Sequence, residues 1–239
     1  MNVIEVRNLV KTYKNDRGIK GIDLSIGEGE VFGLFGPNGA GKTTLMKCMT
    51  GQCQMDEGSA SLFGWDITTH YEMAMSQTGC LIGPPFAYDE MTARENMQLV
   101  ARYYPQIDAK RIDEVLQVTG LAQNKHEKVA SFSAGMKQRL SLAFALYPNP
   151  KLLILDEPTN GMDIEGKLLF REIVDHLANN EGVSFLISSH LIHELEPVCK
   201  SFGMIDDGKW ISTGKIAEIK EQSLEQHYKE SVVTGKKGV

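Results

Sequence analysis

The sequence predicts an α/β domain on a mainly parallel sheet, with an N-terminal antiparallel β layer and an inserted helical subdomain. Three observations predict it. The runs Val31-Phe-Gly-Leu-Phe35, Leu152-Leu-Ile-Leu155 and Val183 to Ile187 are nearly continuously apolar, the mark of strands buried on both faces. Helical patterns separate these runs, as crossover connections in a parallel sheet require. The two ends of the chain are strand-rich instead, which suits antiparallel pairing.

Each element follows in order. Val3 to Val6 and Ile22 to Ile26 alternate as half-buried strands, separated by polar, turn-rich sequence at 14–18. After Val31–Phe35 comes a glycine-rich turn, and Lys42 to Thr50 has helical composition. Residues 66–150 read as mostly helical. Ala109 to Thr119 places Ile112, Val115, Leu116 and Val118 on a helix, and Met136 to Leu146 continues helically until Pro148 and Pro150 stop it. Leu152–Leu155 is the second buried strand. An amphipathic helix over Glu165 to Ala178 then stacks Leu169, Ile173 and Leu177. Val183–Ile187 is the third buried strand, and Asp207-Gly208 signals a β-hairpin. One domain over 2–220 is expected, with residues 66–150 as the helical insertion and a polar C-terminal tail at 221–239, of which Thr234 to Val239 is expected to be loose.

Composition narrows the function classes. Apolar residues make up 42% of the 239 and charged residues 23%, too apolar for a disordered chain. With 25 basic against 31 acidic side chains the net charge is −6, whereas a nucleic-acid binder needs a basic footprint to displace phosphate counterions. No nucleic-acid partner is expected. Four cysteines without a CxxC pair make neither a disulfide framework nor a zinc site, which fits reduced cytosolic thiols. The opening Met1-Asn-Val-Ile-Glu-Val-Arg7 has no signal-peptide pattern. The apolar runs are far shorter than the ~20 residues that span a bilayer. If the chain serves a membrane, a partner takes it there.

Gly36-Pro37-Asn38-Gly39-Ala40-Gly41-Lys42-Thr43 fits G-x-x-x-x-G-K-[ST] at every fixed position, with Thr44 following. The glycines let the backbone curl so that successive N–H groups converge on phosphates. A helix starting near Gly41 adds its positive N-terminal dipole. Lys42 reaches the β- and γ-phosphates, and the Thr43 hydroxyl is a Mg²⁺ ligand. A buried strand before the loop and a helix after it are the context this motif requires.

Lys151-Leu-Leu-Ile-Leu-Asp156-Glu157-Pro158-Thr159 ends a buried strand with two adjacent acids. Ligand sites of parallel sheets gather at the C-terminal ends of the strands. Asp156 is placed to hold Mg²⁺, directly or through water, and Glu157 to orient and deprotonate an attacking water. His190 follows a strand parallel to the other two and lands on the same sheet edge, within reach of a γ-phosphate. The order His190-Leu-Ile-His193-Glu194 matches no zinc-protease pattern.

Together, in this order, these segments resemble the nucleotide-binding subunit of an ATP-binding-cassette (ABC) transporter, over about residues 2–220. Two further stretches carry the resemblance. Ser131-Phe132-Ser133-Ala134-Gly135-Met136-Lys-Gln-Arg-Leu140 resembles the family's signature sequence, and Asn160-Gly-Met-Asp163 the loop whose aspartate touches the opposite subunit. The resemblance implies a P-loop NTPase core that binds and hydrolyses ATP with Mg²⁺, with Tyr13 stacking on adenine and Glu157 and His190 catalytic. It implies that Ser133, Ala134, Gly135, Met136 and Asp163 act on ATP held by a second cassette, in a homo- or heterodimer. It also implies a separate transmembrane permease, which would hold the chain peripherally at the cytoplasmic face of the cell membrane. Taken singly, Ser133 reads as a helix N-cap and Tyr13 as strand packing.

The chain departs from the family pattern twice. The signature reads Phe132-Ser-Ala-Gly-Met136 in place of Leu-Ser-Gly-Gly-Gln. Anchored on Met91-Thr-Ala-Arg-Glu-Asn96, the family's glutamine position falls on Gly83, which can neither ligate Mg²⁺ nor position water. The segment Ile82-Gly-Pro-Pro-Phe-Ala-Tyr88 resembles a variant found in exporters of antimicrobial peptides of the lantibiotic and bacitracin type. The expected function is ATP-driven dimerisation that powers a membrane exporter. The alternatives are a cassette working off the membrane and a weakly hydrolysing regulatory cassette, the latter suggested by Gly83.

Overall fold

The computed structural model describes residues 1–14, 17–219 and 223–235. In chain order the strands are β1 (Asn2–Thr12), β2 (Gly18–Gly27), β3 (Val31–Phe35), β4 (Glu57–Leu62), β5 (Trp65–Asp66), β6 (Thr78–Leu81), β7 (Leu152–Leu155), β8 (Ser184–Ser189), β9 (Ser201–Asp206) and β10 (Lys209–Lys215). The helices are α1 (Lys42–Met49), α2 (Tyr71–Met75), α3 (Ala93–Ala101), α4 (Lys110–Val118), α5 (Ala134–Leu146), α6 (Ile164–Asn180), α7 (Ile192–Leu195) and α8 (Leu224–Gly235).

Two sheets result. The antiparallel one runs β2-β1-β4-β5, and the larger one runs β10-β9-β3-β8-β7-β6. Within the larger sheet β9, β3, β8, β7 and β6 are parallel, and β10 is antiparallel to β9. This is the α/β fold the sequence predicts.

The three continuous apolar runs become the adjacent strands β3, β8 and β7, and their alternate side chains feed two separate cores. Val31, Phe35, Leu153, Leu155, Phe185 and Ile187 pack among the helices α3 to α6. Phe32, Leu34, Leu152, Ile154 and Leu186 pack on the other side, with α1 and the antiparallel sheet. Both faces are buried, so the strand interiors are apolar, with buried serines only at the ends of β8. The Asp207-Gly208 turn closes the β9–β10 hairpin with φ of 45° and 76°, the positive pair that a two-residue hairpin turn demands. It also braces the phosphate loop, since Gly208 N–H donates to the Ala40 carbonyl at 2.9 Å.

Two stretches differ from the sequence expectation. Residues 66–150 are not helical throughout, because Thr78–Leu81 forms β6 at the edge of the parallel sheet, paired with β7. Four residues with no apolar alternation gave no strand signal; β7 defines them. The polar segment from Ser223, for which the sequence suggests no element, forms α8 through residue 235, and α8 docks on the domain. Leu224 is buried, its N–H donates to Glu196 Oε1 at 2.9 Å, and His227 Nε2 lies 2.8 Å from Ser212 Oγ. Residues 236–239 of the expected tail lie outside the described residues.

Candidate active site

The register of the parallel strands assembles the site. Phe35 pairs with Ser189 and Leu155 with Ile187, so Gly36 leaves the sheet level with His190, and Asp156 leaves level with Ser188. All three strand ends open on one edge, the usual ligand edge of a parallel sheet.

The phosphate loop is built by close backbone approach. A Cβ on Gly36 would stand 2.2 Å from the Ile205 carbonyl oxygen of β9, so only glycine lets the chain turn there. The helix that follows, α1, has Gly41 at its N-cap and no side-chain cap, unlike α3, α5 and α6, which Thr92, Ser133 and Asp163 cap. Its first N–H groups thus remain available to an anion. Lys42 is buried and folds over the loop, donating from Nζ to the Gly36 carbonyl at 2.7 Å and the Pro37 carbonyl at 3.3 Å.

Asp156 joins three elements. Its Oδ2 accepts from Thr43 Oγ1 at 2.6 Å and its Oδ1 from Ser188 Oγ at 2.6 Å. The same Ser188 oxygen accepts the Glu157 N–H at 2.9 Å. Glu157 has φ of 47°, in the left-handed region that non-glycine residues rarely enter. Such strain persists where surrounding contacts over-determine it, commonly at working sites. Glu157 Oε2 lies 2.8 Å from His190 Nδ1. Its buried Oε1 forms an ion pair with Lys42 Nζ at 3.1 Å and has no hydrogen-bond partner among the described residues.

A cavity of about 260 Å³ contains most of the expected nucleotide residues: Tyr13, the loop from Pro37 to Thr44, and Glu157. Gly36, Pro37 and His190 line a neighbouring cavity of about 360 Å³ that α8 closes from the other side. Tyr13 is 45% exposed, with its hydroxyl 3.3 Å from Cys53 Sγ and Lys11 Nζ 5.7 Å from its ring centroid. Ser133, Ala134, Gly135, Met136 and Asp163 line neither cavity. They form their own surface, where Gly135 is pressed so closely on the loop before α6 that a Cβ there would lie 2.9 Å from the Gly161 carbonyl.

Residues 19–160 match the protein-family model described as ABC transporter. The chain belongs to that family. The cassette is 38% identical over 228 residues to the ABC transporter ATP-binding protein YhcH of Bacillus subtilis, covering 94% of this chain and 73% of that one. It is 34% identical over 221 residues to the bacitracin transport ATP-binding protein BcrA of Enterococcus faecalis, covering 92% and 72%. It is 36% identical over 209 residues to the lantibiotic transport ATP-binding protein SrtF of Streptococcus pyogenes, covering 87% and 89%. Its fold matches the solved ATP-binding subunit of an ABC transporter with a TM-score of 0.87 at 27% identity, covering 96% of this chain and 99% of that one. The cassette is thus a transport-coupled ATPase subunit.

Sequence reasoning missed several residues of this site. Arg17 and Gly18 line the nucleotide cavity, and Gln138 of α5 reaches the Glu157 carbonyl at 3.4 Å. Ser188 was visible only as a polar residue in a buried strand next to His190, which is itself a usable signal: a serine there must find partners.

Proposed function

We propose that the chain is the ATP-hydrolysing subunit of an exporter, in which ATP-driven pairing of two cassettes powers a separate permease. Glu157 carries the reading: strained, at a strand end, held by His190 through one oxygen, with the other oxygen ion-paired to Lys42 of the phosphate loop. The amides of residues 37–44 and Lys42 hold the phosphates, and Tyr13 offers its ring to the adenine. Glu157 accepts the proton of the attacking water at Oε1, while His190 fixes the carboxylate through Oε2.

Thr43 Oγ1 and Asp156 Oδ2, hard oxygens 2.6 Å apart, fit Mg²⁺, an ion that fills its other positions with water and substrate phosphate. An Mg²⁺ ion held by these two oxygens would supply charge neutralisation for phosphoryl transfer. Among the described residues no group of three or more His, Cys, Asp or Glu side chains could hold a metal, which suits an ion delivered with its nucleotide.

The position of Ser133 to Met136 and Asp163 outside the chain's own cavities supports their action on a second cassette. Beside Asp163, Ile164 is 78% exposed and Leu168 half-exposed, apolar area that a dimer would cover. A permease finds a different surface. Phe86, 72% exposed, meets Tyr88 edge to face at 5.5 Å, just after Gly83. Asn96 clamps the Tyr88 backbone, accepting its N–H at 2.8 Å and donating to its carbonyl at 3.0 Å. Asp89 pairs with Lys137 of α5 at 2.7 Å, so this aromatic platform is tied to the signature helix. No helix among the described residues is long and apolar enough to cross a membrane, and the permease places the cassette at the cytoplasmic face. Likeness to proteins named for bacitracin and lantibiotic transport supports a peptide antibiotic as cargo class.

Steady-state ATP hydrolysis against protein concentration tests the reading, with Glu157→Gln in parallel. The wild-type rate should rise faster than linearly, and the variant should bind ATP without turning it over. A strictly linear dependence removes the dimer; loss of ATP binding in Glu157→Gln removes its role as base.

A further inference from the structure

Three side chains that carry a full charge are buried among the described residues: Lys42, Asp156 and Glu194. The first two belong to the phosphate site. Glu194 lies in α7, on the turn that follows His190, and no step above uses it. A buried carboxylate is unfavourable unless paired and hydrogen-bonded, and an apolar side chain of similar volume often serves stability as well. Its presence calls for a positional reason.

Both carboxylate oxygens are engaged. Oε2 accepts from Thr159 Oγ1 at 2.6 Å, and Oε1 accepts from Lys167 Nζ at 2.6 Å. Arg171 donates from Nε to the Glu194 carbonyl at 2.7 Å and from Nη2 to the His193 carbonyl at 3.1 Å. Thr159 is itself buried and stands two residues after Glu157. Lys167 and Arg171 lie one turn apart on α6. Burial alone would raise the Glu194 carboxyl; the hydrogen bonds from Lys167 and Thr159 outweigh it and hold the group below the usual carboxylate range.

We propose that Glu194 is a positioning residue that ties the turn after His190 to the loop after Glu157, and so maintains the 2.8 Å contact between His190 Nδ1 and Glu157 Oε2. This role rests on Glu157 acting as the base. Thr159 fixes the Glu157 side, and Lys167 with Arg171 fixes the His190 side to α6. Because α6 begins beside Asp163, one carboxylate sets both loops against the same helix.

The test compares full-length Thr159→Val, which is isosteric without a donor, with Thr159→Ser, which keeps the hydroxyl. Glu194→Gln, the double variant Thr159→Val/Glu194→Gln and Glu157→Gln complete the set. Two readouts apply: the imidazole ¹⁵N resonances of His190, assigned with His190→Gln, and single-turnover hydrolysis beside ATP affinity. Thr159→Val and Glu194→Gln should each move the His190 resonances and slow turnover about tenfold, with ATP affinity held within about twofold, as expected when a reacting group is misplaced but binding is not. Thr159→Ser should restore both readouts, and the double variant should be no slower than Glu194→Gln alone. Unmoved His190 resonances in the folded variants overturn the proposal. So do losses that multiply in the double variant, or rate losses matched by losses in ATP affinity. A wild-type rate in Glu157→Gln removes the base assignment instead, and the link to His190 is then decided by the resonances.

Discussion

Ser188→Ala is the most direct probe of how the acid pair is held. The side chain is fully buried, and its one oxygen donates to Asp156 Oδ1 at 2.6 Å while accepting the Glu157 N–H at 2.9 Å. Alanine removes that oxygen with almost no change in shape. Asp156 keeps its bond from Thr43 but loses a hydrogen bond to a charged group, worth about 1.5–3 kcal/mol. The Glu157 N–H is left buried without that acceptor, at about 1–3 kcal/mol. The two losses share one atom, so a total of about 2–4 kcal/mol is expected from urea unfolding. The bond also helps to hold Glu157 at its φ of 47°; released, the backbone relaxes and the carboxylate moves away from His190. A displacement near 1 Å costs on the order of 100-fold in rate, so kcat should fall by about 10- to 100-fold. ATP affinity should change little, since the loop amides and Lys42 are untouched. A variant that loses less than about 0.5 kcal/mol and keeps wild-type kcat would refute this account of the site.

Three further outcomes follow from the same geometry. Gly36→Ala sets a methyl 2.2 Å from the Ile205 carbonyl oxygen, so the phosphate loop must shift and equilibrium ATP binding should weaken more than about 100-fold in a chain that stays folded; near-native affinity counts against the packing argument. Gly83 has φ of 90° with nothing within 4 Å of an added Cβ, so Gly83→Ala should cost about 1–2 kcal/mol through backbone strain alone in thermal unfolding, and any effect of Gly83→Gln on hydrolysis must be judged against that control. The Glu194 carboxyl sits below its ordinary value of 4.5, so its stabilisation is full above that pH and is lost as pH falls through the folded value; the stability gap between wild type and Glu194→Gln should shrink as pH falls below 4.5, and a constant gap counts against a charged Glu194.

The legible parts of the site are those written in contiguous residues. The phosphate loop is a run of backbone turns whose glycines and lysine need no distant partner to be recognised, and Asp156-Glu157 advertises itself by ending an apolar strand. Ser188 and Glu194 are ordinary in sequence and acquire meaning only from partners 27 to 35 positions away. The fold divides along the same line. Strands buried on both faces declare themselves by composition, whereas β6 exists through pairing with β7, and α8, in a polar run, docks through buried Leu224 and partly buried Tyr228.

Yet the distant contacts are still encoded, one level up. Leu155 pairs with Ile187 because both enter the helical core, while their neighbours Ile154 and Leu186 enter the core on the other face. Sliding one strand by a single residue would send every one of these side chains to the opposite core. The register of β7 and β8 therefore fixes which residues emerge side by side at the strand ends. Those residues are Asp156 and Ser188, joined at 2.6 Å. The strand register thus sets a polar contact that no local motif announces. A conservative core substitution in β7 or β8 that loosens the register should consequently reach activity before it reaches overall stability.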